Sequence, residues 1–137
     1  MPRMNRPRVL LADDHAETAG QLSQILGQDF EVIGVVADGR ALVEAADRLS
    51  PDVIVTDISM PRLDGIDATV LIRRGDPAAR IVLVTVHTEV TLVQRGFDAG
   101  ASGYVLKDES GEELVAAVRA ALKGERYVSR SIRGREA

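Results

Sequence analysis

The chain has 137 residues and a formal net charge of −4; it is 45% hydrophobic with two Phe, two Tyr and no Trp, so one domain with an aliphatic core is expected. It has no cysteine, which excludes a disulfide framework and thiolate metal sites; with no signal-type apolar run after the basic opening MPRMNRPR and no span near ~18 apolar residues, a cytoplasmic protein with no membrane partner is expected. Residues 9–118 hold 8 basic against 19 acidic side chains, a poor surface for nucleic acid, while basic residues gather at the two ends.

RVLLAD at 8–13 is the first of five short apolar runs rich in β-branched residues; EVIGVV (31–36), DVIVTD (52–57), RIVLVTV (80–86) and GYVLK (103–107) follow. None alternates polar with apolar, as expected of strands covered on both faces. Each run is followed by helical spacing. The first helix carries Leu22, Ile25 and Leu26, and the second carries Leu42, Val43, Ala46 and Leu49 before a break at Ser50-Pro51. Asp64 is a cap for the third, which holds Ile66, Val70 and Leu71 and ends in RRGDPAAR. Thr88 is the expected cap of the fourth, which carries Val90, Leu92, Val93 and Phe97 and stops at DAGASG. Ser110 and Glu113 have capping-box spacing before ELVAAVRAAL, the fifth.

Five β-α units in strict alternation predict an α/β fold, a flavodoxin-like (βα)5 doubly wound parallel five-stranded sheet of order 2-1-3-4-5, over residues 8–124. Residues 1–7 read as a disordered basic tail. Residues 125–137, where Arg and Ser accumulate, read as a C-terminal tail or a truncated linker to an absent output domain.

In such a sheet, ligands bind outside the carboxyl ends of the strands, at the switch point between strands 1 and 3. The runs end there on Asp13 and Asp14, on Asp57, on Thr85 and on Lys107. Clustered carboxylates suit a hard cation, and Mg²⁺ commonly takes one or two of them with waters and a phosphate oxygen. Asp57 can also act as a nucleophile on a phosphoryl group, giving an acyl phosphate whose charge the cation and Lys107 would neutralise. Thr85 could then hydrogen-bond a phosphoryl oxygen, a contact that exists only when the phosphate does. Taken singly, a strand-end Asp is usually a cap, Lys107 a surface lysine and Thr85 a strand residue; their joint placement carries the reading.

The motifs LLADDH, VIVTDISMPRLDG, IVLVTVH and DAGASGYVLKD resemble those of response-regulator receiver domains of bacterial two-component systems, over roughly residues 7–124. The resemblance implies a non-enzymatic signalling switch. It makes Asp57 the phosphoacceptor, served by a histidine kinase. Asp14 would be a direct Mg²⁺ ligand together with Asp57 and the Ser59 backbone carbonyl, Asp13 would act through metal-bound water, and Mn²⁺ could replace Mg²⁺. Lys107 would bind the phosphoryl group, and Thr85 and Tyr104 would form a coupled switch pair in which Tyr104 turns inward once Thr85 moves to the phosphate.

Asp108 after the site lysine, and GEELVAAVRAALKGERYVS, are similar to the NarL/LuxR class, whose members usually carry a helix-turn-helix output domain. Through such a domain, absent from these 137 residues, the chain would control transcription and touch DNA; phosphorylation would change partner affinity or homodimerisation. Val86 stands where many receivers have a small residue and could narrow access to Asp57; Ser59 and His87 would be further modulators, His87 either placing or excluding a hydrolytic water at the crevice mouth or standing as a solvated loop residue. Two alternatives use the same residues. One is a stand-alone or phosphorylation-independent interaction module of this fold; the other is a phosphotransferase of dehalogenase type, which would need a second acid where Ser59 stands.

Overall fold

The computed structural model describes residues 6–136. Strands β1 (Arg8–Ala12), β2 (Glu31–Val36), β3 (Val53–Thr56), β4 (Ile81–Thr85), β5 (Gly103–Leu106) and β6 (Tyr127–Val128) form one parallel sheet of order β2-β1-β3-β4-β5-β6. The connections run through α1 (Ala16–Gly27), α2 (Gly39–Leu49), α3 (Gly65–Gly75), α4 (Val90–Asp98) and α5 (Ser110–Leu122), and α6 (Arg130–Glu136) follows β6. The expected order holds, lengthened by one short strand. No described helix is long and apolar enough to cross a membrane.

Successive strand side chains point to opposite faces, so an unbroken apolar run feeds two cores at once. Val9, Leu11, Val53, Val55, Val82, Val84 and Val105 meet Leu22 and Leu26 of α1 and Leu114, Ala117 and Val118 of α5. Leu10, Ala12, Ile54, Leu83, Tyr104 and Leu106 face the other way, toward Leu42 of α2, Ile66 and Ile72 of α3 and Val93 of α4. At about 25 cal/mol per Å² of apolar surface, these two layers supply the main drive to fold.

Local signals set most helix ends. Asp64 accepts a hydrogen bond from the Asp67 N–H at 2.8 Å and caps α3 as expected. Asp38 does the same for α2 through the Ala41 N–H, and α2 ends on Ser50 in the left-handed region (φ 47°) just before Pro51. Two expected caps are not made. Helix α4 starts after Glu89, with no side-chain cap from Thr88. Ser110 is already inside α5 and donates to the Lys107 carbonyl at 2.7 Å, while Glu113 turns to β6 and α6.

The reading of residues 125–137 as a tail is corrected by that contact. Tyr127 and Val128 pair with Gly103 and Tyr104, and Ile132 of α6 is fully buried, so the segment extends the fold. At the other end, residues 1–5 of the expected basic tail lie outside the described residues, as does residue 137. Pro7 already belongs to the fold, its carbonyl accepting from the Glu31 N–H at 2.9 Å.

Candidate functional site

The backbone ladder continues one residue past the strands, which fixes the acids in place. The Asp13 N–H donates to the Val36 carbonyl at 3.0 Å, and the Asp57 N–H to the Ala12 carbonyl at 2.9 Å. Both side chains are thereby buried at the carboxyl edge of the sheet. Burial of carboxylates requires compensation, and each oxygen can be followed. Asp13 Oδ1 accepts from the His15 N–H at 2.8 Å, and Asp57 Oδ1 from the Ile58 N–H at 2.7 Å. Lys107 Nζ then bridges the two remaining oxygens, 3.0 Å from Asp57 Oδ2 and 3.0 Å from Asp13 Oδ2. The bond to Asp57 is well formed; the approach to Asp13 is off angle, so Asp13 Oδ2 is buried beside a charge but without a hydrogen bond.

One ammonium thus serves two buried carboxylates, with the exposed Asp14 alongside. Asp13, Asp14, His15 and Asp57 each offer a ligand atom, all within 4.8 Å of one another. An oxygen-rich set short of positive charge, with an orphaned carboxylate oxygen among its members, fits a hard divalent cation. Burial pushes the Asp57 carboxyl above its ordinary range, the Lys107 hydrogen bond and charge pull it back, and the Asp13 charge adds to the rise. For Lys107, burial acts to lower the ammonium, but the two carboxylates outweigh it and hold it above its usual value. Lys107 is therefore a fixed cation throughout the neutral range.

Thr85 ends β4 at the same edge of the sheet, and Tyr104 of β5 reaches the loop that follows it. Thr85, fully buried, accepts from the His87 N–H at 3.2 Å, which leaves its own O–H available to another acceptor. Tyr104 points inward, 1% exposed, and its hydroxyl donates to the His87 carbonyl at 2.9 Å. Burial and the Glu89 charge keep that phenol well above its ordinary range, hence neutral. His87 also spans the crevice mouth, Nε2 lying 3.1 Å from Ser59 Oγ and Nδ1 3.7 Å from Glu89. Val86 is 69% exposed at the start of this loop, with its side chain largely in solvent.

His15 follows the acid pair directly in the sequence. Its Nδ1 lies 3.1 Å from Asp14 Oδ1 and 3.5 Å from Asp13 Oδ1, so it leans over the carboxylate pair. Gly65, in the loop after Asp57, is a positioning residue. A Cβ built there would lie 2.0 Å from the Asp57 carbonyl oxygen, so only glycine lets α3 start against the strand end. A Gly65→Ala chain is expected to lose about 2 kcal/mol or more of stability, read as a lowered urea midpoint. A midpoint equal to wild type would mean that the loop gives way easily.

A family model described as the response regulator receiver domain matches residues 9–119. The nitrate/nitrite response regulator protein NarP of Escherichia coli is 35% identical over 134 residues, covering 96% of this chain and 62% of NarP. Response regulator GacA of Pseudomonas aeruginosa is 35% identical over 127 residues, 91% of this chain and 59% of GacA. The chain spans about three fifths of the length of these relatives. Among solved structures, a LuxR-family two-component response regulator from an Aurantimonas species superposes with a TM-score of 0.91 at 34% identity, covering 95% of this chain and 94% of that one. The signal receiver domain of NarL from Mycobacterium tuberculosis gives 0.84 at 31% identity, covering 88% and 98%.

Proposed function

The chain belongs to the response-regulator receiver family, of NarL/LuxR-like class, and from that membership we propose a switch in which Asp57 accepts a phosphoryl group from a histidine kinase. The observation that carries the assignment is the Lys107 ammonium held 3.0 Å from both Asp13 and Asp57 at the carboxyl edge of the sheet. An Asp57 carboxylate oxygen attacks phosphorus. The P–N bond of the kinase phosphohistidine, or the P–O bond of a small donor, breaks with its electron pair leaving on the donor. The product is an aspartyl phosphate. Lys107 offsets charge on the phosphoryl oxygens, and the free Thr85 O–H donates to one of them. Mg²⁺, or Mn²⁺, would be held by Asp14, Asp57 and the Ser59 carbonyl, with Asp13 acting through water; when bound it supplies further positive charge to the phosphoryl oxygens.

The proposed consequence is a changed affinity for partners or for a second copy of the chain, read out as transcription through a DNA-binding domain beyond these residues. Acetyl phosphate with Mg²⁺ tests the first step. One added phosphoryl group, about 80 Da by intact mass, is expected on the wild type and not on Asp57→Asn. No gain on the wild type, with Asp57→Asn binding partners identically, would assign the chain to the phosphorylation-independent module.

The metal roles make a separate prediction. Asp13 holds Oδ1 on a backbone N–H and keeps Oδ2 buried 3.0 Å from the Lys107 ammonium, whereas Asp14 is exposed and lies 3.1 Å from His15. In calorimetric Mg²⁺ titrations, Asp13→Asn is expected to weaken binding roughly tenfold, as for a supporting residue, and Asp14→Asn by clearly more. Equal losses would overturn this division.

A further inference from the structure

At the edge of the sheet opposite the acid cluster, where β3 and β4 begin, the C-terminal halves of α2 and α3 and the segment leading into β4 enclose a cavity of about 510 Å³. Its floor is apolar. Ile54 and Ile72 are buried there, and Val43, Ala46, Leu71 and Ala79 are only partly covered. Gly75 forms part of the wall, and a Cβ built on it would meet no atom within 4 Å, so the chain leaves that side open. Concavities of roughly 300–1,000 Å³ with an apolar lining and a few charged groups are the usual form of small-molecule sites.

The charges around this cavity are predominantly of one sign. Glu44, Asp47 and Asp76 line it against Arg80 alone, and among the described residues none of the three carboxylates forms an ion pair. Asp76 accepts from the Ala78 N–H at 3.1 Å, while Glu44 and Asp47 stand exposed on α2. Both helices also end here, α2 at Leu49 and α3 at Gly75, and the carboxyl end of a helix carries a partial negative charge of about half an electron. The basic residues of those last turns are spent elsewhere: Arg48, Arg73 and Arg74 are not in the lining, and Arg73 donates to the Ala79 carbonyl at 3.0 Å.

We infer that this cavity binds a small organic cation, an apolar ring or chain that carries an ammonium or guanidinium group. The apolar body covers the floor of Ile54 and Ile72, and the cationic end lies toward Glu44, Asp47 and the two helix ends. An anion would meet three carboxylates and two helix ends with only Arg80 in its favour, and a neutral ligand would leave that field unused. The site is independent of the role of Asp57, which lies at the other edge of the sheet.

Amide NMR spectra of the whole chain titrated with tryptamine, indole and indole-3-acetate give the test, because the three share a ring and differ in charge. Tryptamine is expected to give saturable shifts centred on Val43, Ala46, Leu71, Gly75 and Ala79, with affinity about fivefold above that of indole and with indole-3-acetate weakest. Glu44→Gln together with Asp47→Asn is expected to lower tryptamine affinity by about threefold and to leave indole unchanged. Gly75→Leu, whose side chain enters the open space, is expected to remove binding of both; if that variant does not fold, the double variant decides. Shifts elsewhere, shifts that do not saturate, equal affinity for the three ligands, or either folded variant binding tryptamine as wild type does would overturn the inference. So would ligand-free shifts of the same amides with protein concentration, which would assign the cavity to a second copy of the chain. Saturable binding of an amphipathic Lys/Leu peptide where tryptamine does not bind would overturn it too, in favour of a basic helix.

Discussion

Asp57→Asn is expected to abolish phosphoryl uptake and to make the chain more heat-stable when divalent cations are chelated. The first effect follows from the loss of the attacking carboxylate, since an amide has no anionic oxygen to offer phosphorus. The second follows from the charge count. Two buried carboxylates share one ammonium, and burial together with the Asp13 charge already pushes the Asp57 carboxyl up, so its ionised form at neutral pH works against folding. Asn keeps the shape, retains an oxygen for the Ile58 N–H and leaves Lys107 paired one to one with Asp13. A gain of about 1 kcal/mol, or roughly 4 °C in Tm, is expected. Saturating Mg²⁺ should narrow the gap, because it binds the folded wild type and offsets the same repulsion. Equal Tm values in EDTA, or equal Mg²⁺ responses, would show that the pair is not in electrostatic conflict.

Such a cost sets this cluster apart from an ordinary core, and it explains why the cluster was easier to pick out in the sequence than parts of the fold. An apolar strand that stops on Asp13, Asp14 or Asp57 is a local anomaly, visible without a structure, and the five runs put all the anomalies at one sheet edge. Strand order followed from the alternation, because parallel crossovers leave few topologies. The C-terminal strand and helix were not legible for an equally physical reason. Tyr127 and Val128 are too short to show a period, and Ile132 is a lone apolar residue among arginines. Ser110 and Glu113 have the spacing of a capping box, but spacing cannot report that the Tyr127 hydroxyl and the Arg130 N–H compete for the glutamate. Asp38 was missed as a cap although Asp-Gly precedes the second helical run, because the same pair also signals a turn. The inward Tyr104 and its bond to the His87 carbonyl depend on a loop conformation that no local pattern encodes.

Lys107→Met is expected to produce the largest loss. Methionine keeps much of the lysine stem's bulk but removes the cation that Asp13 and Asp57 share, leaving two buried carboxylates with one backbone N–H hydrogen bond each. Breaking a buried ion pair from one side costs on the order of 3 kcal/mol, and here one substitution strips both acids. With Lys107 gone, the influence that now pulls the Asp57 carboxyl back down disappears, so it rises further above its unfolded value. A carboxyl that binds its proton more tightly folded than unfolded stabilises the fold at acid pH and loses that contribution as pH rises through its folded-state value. The variant should therefore lose stability relative to wild type as pH rises from the ordinary carboxylate range toward neutrality, and recover much of it with Mg²⁺. Urea midpoints at several pH values, with Mg²⁺ or EDTA, read both effects. A deficit independent of pH and of Mg²⁺ would mean that Lys107 contributes packing alone, and that Asp57 takes up the phosphoryl group without help from its charge.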